Sequence, residues 1–384
     1  MERPDDAVGI GARKRARELG IAIGRLPVGP CNAITDVAGV RVGHTTLIAG
    51  DGPLVVGQGP VRTGVTVIVP HDEIGHDPVF AGYHQLNGNG EMTGVAWIEE
   101  AGELRTLIAI TNTHSVGVVR DAIIAYELRR YGHRELSWSL PVVAETYDGW
   151  RLNDINGFHV RPEHVFAALD AAAGGPVAEG CVGGGTGMNC HEFKGGIGTA
   201  SRRLPAERGG WTVGVLVQAN YGRRYLLRID GVPVGEEIGP EEVPTLRPGP
   251  RGDGSGSIII VVATDAPLLP SQCKRLAQRA TVGLARTGGN GDNGSGDLFL
   301  VFSTGNRGFS AGSAREPASV RLYPNDAISD LFEATIEATE EAIVNALCLA
   351  TTMTGVDGRV SHAIPLDRLQ AVMAKYGRLQ GPAG

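Results

Sequence analysis

A chain of 384 residues with a 42% apolar share has enough hydrophobic material for one large or two ordinary domains. Its formal charge of -7, with Lys and Arg scattered rather than clustered, argues against nucleic acid as a partner. No stretch approaches the roughly 20 apolar residues needed to span a bilayer, and the N-terminal MERPDDAVGIGARKRARELG interleaves charge with apolar residues, so a cytoplasmic protein with no membrane partner is expected.

Five cysteines (Cys31, Cys181, Cys190, Cys273, Cys348), odd in number and without a CxxC pair, suggest free thiols. Glycine is the outlier: there are 57, about twice the usual ~7% share. They cluster between strand-like runs, where they suit tight turns and backbone brought close to a ligand.

In chain order, GVTVIVP (64–70) is the first continuous apolar run and predicts a strand covered on both faces. The following PHDEIGHDP offers His71, Asp72, Glu73, His76 and Asp77, but the spacing is not that of a zinc helix. Pro70 and Pro78 bracket a surface loop with solvated side chains, so neither a metal nor a cofactor is expected there or elsewhere. RTLIAITNT (105–113) predicts a strand, and 115–131 an amphipathic helix built on Ala122, Ile123, Tyr126 and Leu128. GGGTGMN (183–189) lacks the Gly-Lys-Ser/Thr ending of a phosphate loop, which leaves close backbone approach as its role.

WTVGVLVQAN (211–220) predicts another strand. Asp230–Gly256 then holds five prolines, seven glycines and little to bury. The segment could be a domain linker, but only about 128 residues follow it, too few for a comfortable core of their own. A surface loop within a single α/β fold is the better reading. Strands at 257–264 and 297–304, a helix at 270–286 and a longer one from Asp330 to a stop at Gly355 complete the pattern.

The junction Gly256–Ser257 lies where that loop meets a strand. A Ser257 hydroxyl there can attack the Gly256 carbonyl, an N-to-O acyl shift then gives an ester, and water releases a chain beginning at Ser257. Gly256 has no Cβ to obstruct the geometry. The freed α-amine, with an ordinary pKa of about 7.7 to 8.0, can act as base for its own hydroxyl. On pattern alone, a flexible loop before a core strand is the simpler reading, and the turn NGSGD and the end of VQANYG are equally compatible with ordinary turns.

The run GSGSIIIVVATDAPLLPSQCKRLAQRATVGLARTGGNGDNGSGDLFLVFST resembles the β-subunit start of the L-aminopeptidase/D-esterase (DmpA-like) family, which includes β-peptidyl aminopeptidases. NAITDVAGVRVGHTT, LNGNGEMTG, TNTHSVG, AETYDG, GGGTGMNCHEFKGGIGTASR, VQANYG and NALCLATTMTGVDG extend the likeness over nearly the whole chain.

The resemblance implies an αββα sandwich, N-terminal-nucleophile-like, cut between Gly256 and Ser257 into an α-subunit (1–256) and a β-subunit (257–384) held as one domain. It implies Ser257 as nucleophile, with Ser255 as rival, and Ser295 and Asp297 as the pair orienting its hydroxyl and amine. Asn220 takes the oxyanion role, and the Tyr147 phenol contacts the reacting centre. Glu145 suits the substrate's free amine, and Trp138 suits a wall of the specificity pocket. The expected activity is hydrolysis of an N-terminal residue from a short peptide, amide or ester through an acyl-enzyme, by a homo-oligomer, commonly a tetramer of processed pairs. The alternatives are an acyltransferase of the ornithine acetyltransferase type, which cuts at a threonine, and an uncleaved, non-catalytic ligand-binding protein.

Overall fold

The computed structural model describes residues 13–132, 138–149, 151–246, 256–310 and 316–380. Strands β1 (Arg41–Ala49) and β2 (Val61–Val69) form an antiparallel pair. They are followed by β3 (Val79–Gly88), α1 (Val95–Ala101), β4 (Glu103–Leu104), β5 (Ile108–Asn112), α2 (Val116–Tyr131), β6 (Val142–Thr146) and α3 (Pro162–Asp170). The two-residue strands β7 (Asn189–Cys190) and β8 (Phe193–Lys194) lead into β9 (Gly196–Arg203) and β10 (Thr212–Asn220). One helical turn, α4 (Val234–Glu237), precedes β11 (Gly256–Thr264), α5 (Pro270–Arg286), β12 (Ser295–Ser303) and α6 (Ile328–Leu349).

Two large sheets result, ordered β1-β2-β5-β6 and β4-β3-β12-β11-β10-β9. β11 shows why they stack. Ile258, Ile260 and Val262 pack with Leu276 and Ala280 of α5 and with Ile343 and Leu347 of α6. Their alternates Ile259, Val261 and Ala263 meet Val67 and Ile110 of the opposite sheet. A strand buried on both faces is apolar throughout, and each buried aliphatic side chain contributes about 1.5–3 kcal/mol. On the far side, Val119 and Ile123 of α2 and Val165 and Leu169 of α3 cover the four-stranded sheet. The order of layers is helix, sheet, sheet, helix, the αββα sandwich expected. Among the described residues no helix is long and apolar enough to cross a membrane.

The run 105–113 holds its expected strand at Ile108–Asn112, and the separate pair Glu103–Leu104 just before it joins β3 in the other sheet. Three local expectations need correction. The last long helix stops at Leu349, before Gly355, because Ala350 turns extended (φ -66°, ψ 140°). His71 is buried rather than solvated, with Nε2 2.8 Å from the Asp77 carbonyl and Nδ1 accepting the Glu73 N–H. The segment from Asp230 is not bare loop either. Val232, Val234, Ile238 and Val243 enter the core, and buried Arg224 donates to the Ile238 and Val243 carbonyls. Residues 247–255, including Ser255, lie outside the described residues.

Candidate active site

Strand register builds the site. Ser257 opposes Asn220 across the antiparallel β10–β11 pair and lies beside Gly296 across the parallel β11–β12 pair, where Gly256 meets Ser295. The ends of three neighbouring interior strands of the six-stranded sheet therefore converge. Ser257 shares the alternation of Ile259, so its side chain faces the space between the sheets. Its hydroxyl donates to the Gly256 carbonyl at 2.6 Å and accepts the Gly296 N–H at 3.1 Å. Gly256 is constrained to glycine, because an added Cβ would lie 2.5 Å from the Asn220 carbonyl oxygen and 2.8 Å from Tyr221 Cα.

Ser295 and Asp297 are two apart on β12 and share a face: the serine hydroxyl donates to Asp297 Oδ1 at 2.7 Å. That face is the one of Phe299 and Val301, toward α5 and α6. The pair accordingly sits beside the main chain of β11, and Asp297 accepts the Ile258 N–H. It reaches the backbone flank of Ser257 rather than its hydroxyl. Burial pushes the Asp297 carboxyl up to about 6, against the two hydrogen bonds that stabilise its charge.

Asn220 shares the inter-sheet face with Ser257. Its amide is held at both ends: Oδ1 accepts the Asn189 N–H at 2.8 Å, and Nδ2 donates one hydrogen to the Tyr147 carbonyl at 2.9 Å. Glu145 and Tyr147 come from the other sheet, at and just beyond the end of β6. Glu145 is buried, which raises its carboxyl, while the Thr113 hydroxyl at Oε2 and the Glu91 N–H at Oε1 (3.0 Å) favour its ionised form. The Tyr147 phenol is raised by burial and then by the neighbouring Asp148. Asp148 is itself buried and pushed up to about 7.

A cavity of about 580 Å³ joins these groups. Ser257, Gly256, Glu145, Tyr147, Thr113 and Glu91 line it. Asn220 connects to it through the Tyr147 carbonyl, whereas the Ser295 and Asp297 side chains lie on the other face of the sheet. Trp138 lies elsewhere, edge-on to Trp97 at 5.9 Å, around a separate 220 Å³ pocket that includes Val142. Val142 opens β6 and Glu145 nears its end, which separates the two pockets by about 10 Å along the strand. Sequence reasoning assigned no role to Glu91, Thr113 or the Gly296 N–H, although LNGNGEMTG, TNTHSVG and NGSGD were all singled out as motifs. Among the described residues no group of three His, Cys, Asp or Glu side chains could hold a metal ion.

A serine at the mouth of a core strand, a contacting glycine carbonyl and a buried carboxylate across the cavity suit acyl transfer to a hydroxyl nucleophile. With the sandwich around them, they define a serine hydrolase of the N-terminal-nucleophile kind. The chain belongs to peptidase family S58, whose profile matches residues 32–361. It is 51% identical over 375 residues to the beta-peptidyl aminopeptidase BapA of Sphingosinicella microcystinivorans, covering 95% of this chain and 93% of that one. A Burkholderia sp. beta-aminopeptidase structure superposes with a TM-score of 0.85 at 54% identity, covering 95% of this chain and 99% of that one. The L-aminopeptidase D-Ala-esterase/amidase of Ochrobactrum anthropi, a variant of the Ntn hydrolase fold, also gives 0.85, at 46% identity and with the same shares covered. The protein is a serine aminopeptidase of that fold.

Proposed function

We propose that the chain cuts its own Gly256–Ser257 bond and then removes N-terminal residues, of α- or β-amino type, from short peptides, amides or esters. The contact that carries this reading is the Ser257 hydroxyl resting on the carbonyl of the residue it would release. In processing, Ser257 Oγ bonds to the Gly256 carbonyl carbon, and the peptide C–N bond breaks as its nitrogen takes a proton. Water then hydrolyses the ester, leaving a Gly256 carboxylate and a free Ser257 amine.

In catalysis that amine takes the hydroxyl proton as Oγ attacks the substrate carbonyl. Asp297 and Ser295 flank the amine and hold it. The second Nδ2 hydrogen of Asn220 is available for the oxyanion, and the Gly296 N–H steadies Oγ. Tyr147 borders the reacting carbon, and Glu145 receives the substrate's ammonium. The proton passes to the leaving group, and water resolves the acyl-enzyme.

The single sandwich is thus read as two chains, 1–256 and 257–384, that stay together. Exposed Ile48, Leu54, Val55 and Val56 at the tip of the β1–β2 hairpin support assembly into a homo-oligomer, with a tetramer of pairs expected. Five free cysteines support a reducing, cytoplasmic location. Two bands on a denaturing gel, with the smaller beginning at Ser257, and a single inactive band for Ser257→Ala are the expected results. Normal fragments from Ser257→Ala would move the nucleophile elsewhere, and one full-length band from active wild-type protein would remove self-processing.

A further inference from the structure

The Ser257 cavity is acidic along one wall. Glu145 lies within it and Glu91 at its exposed rim, and the described residues lining it include no Lys, Arg or His. The two carboxylates differ in what they can still accept. Glu145 is buried and already holds the Glu91 N–H and the Thr113 hydroxyl, one on each oxygen, so a single substrate ammonium completes its surroundings. Glu91 is exposed, and its carboxylate forms no ion pair with a described residue.

Packing fixes Glu91 relative to the nucleophile. A Cβ on Gly90 would lie 3.1 Å from Glu145 Oε1 and 3.1 Å from Gly296 Cα, and one on Gly296 would lie 2.7 Å from Gly90 Cα. The two glycines therefore allow the 88–91 loop to press against the residue whose N–H binds Ser257 Oγ. Glu91 is the next residue along, about 3.8 Å away from Cα to Cα.

We propose that Glu91 is a specificity-determining residue that receives a second positive charge, an ammonium or guanidinium on the side chain of the substrate's N-terminal residue. The proposal rests on the aminopeptidase reading above. A substrate with its carbonyl at Ser257 and its amine at Glu145 has its first side chain beside the Glu91 loop, because the Glu91 N–H itself touches Glu145. A cationic side chain there meets a carboxylate that no described residue pairs. An acidic one meets two like charges with no neutralising group among the described lining residues. For an exposed pair the preference amounts to about fivefold, and salt screens it.

The test uses processed protein and two anilides of nearly equal side-chain length, lysyl and norleucyl. Wild type should show a kcat/KM ratio of about 5 in favour of lysyl at low salt, falling toward 1 at high salt. Glu91→Gln should bring the ratio to about 1, and Glu91→Lys should invert it, with norleucyl turnover showing that each variant is assembled. A wild-type ratio of 1 or below, or a Glu91→Gln ratio equal to wild type, overturns the proposal while leaving the aminopeptidase reading intact. If cleaved protein hydrolyses neither these anilides nor their β-homo counterparts, the aminopeptidase reading falls and the proposal with it.

Discussion

Replacing Asp297 by Asn should stabilise the uncleaved chain above about pH 6, leave it unchanged near pH 4, and abolish catalysis. Asp297 is 1% exposed, and burial raises its pKa from 3.8 to about 6 against hydrogen bonds from Ser295 and Ile258. The folded chain therefore holds this proton more tightly than the unfolded one. Stability falls as pH rises from about 4 to about 6, and the deficit is complete above that window. The interval, 6 minus 3.8, is worth about 3 kcal/mol at 1.36 kcal/mol per pH unit. Asparagine is neutral throughout and keeps an oxygen for the Ser295 hydroxyl. The comparison belongs in a Ser257→Ala background, so that both chains stay uncut, with urea unfolding followed at about pH 4, 6 and 8. The Asn variant should gain up to about 3 kcal/mol at the highest pH, and the gain should vanish at the lowest. A difference that does not change with pH, or a loss at the highest pH, refutes the reasoning. In processed protein with Asp297 intact, hydrolysis should rise with pH as the carboxylate forms, with a midpoint below about 6 because the neighbouring Ser257 ammonium favours the charged form.

Asn220→Ala removes the proposed oxyanion donor and should lower kcat by about 10²–10³-fold with a smaller change in KM, read by steady-state kinetics. Gly256→Ala pushes a methyl group to 2.5 Å from the Asn220 carbonyl oxygen, so the chain should remain uncut on a denaturing gel and lose stability. Glu341→Gln leaves the fully buried Arg202 guanidinium, 2.7 Å from Glu341 and 2.9 Å from Glu337, with one carboxylate. It should cost about 3–5 kcal/mol in denaturant unfolding.

What could be read from the sequence follows how each element is stabilised. β11, α2 and α5 are legible because apolar burial defines them: continuous in SIIIVVAT, and at three- and four-residue spacing in the helices. β9, GIGTASRR, is just as buried yet polar, and it is held by specific partners. Thr199 Oγ1 donates to the Val215 carbonyl, Ser201 takes the Asn32 side chain on its N–H, and Arg202 ends on two carboxylates of α6. No periodicity announces such a strand. The segment from Asp230 hides its order in a related way: its buried aliphatics are isolated among prolines and glycines, and two of its carbonyls accept from Arg224. At the site, the glycine–serine junction stood out locally, and resemblance supplied roles for Ser295, Asp297 and Asn220. Thr113 and Glu91 matter only because the ends of β5 and β3 from opposite sheets meet at one cavity, which no linear spacing encodes.

Scission at Gly256 would change the electrostatics more than the architecture. β11 and β12 occupy the middle of the six-stranded sheet, between β10 and β3, so residues 257–384 cannot leave without dismantling it. Arg13 adds hydrogen bonds to the Leu347 and Cys348 carbonyls at the end of α6, and Arg17 reaches Glu341. The new feature is an ammonium at Ser257, one residue from the Ile258 N–H that Asp297 accepts. An opposite charge at that distance favours the carboxylate and lowers its pKa. The deficit that burial imposes on Asp297 in the uncut chain would then shrink in the processed one, and the stabilisation gained by Asn should be smaller there. If Asn instead gains as much in cut protein as in uncut protein, Asp297 does not face the new amine.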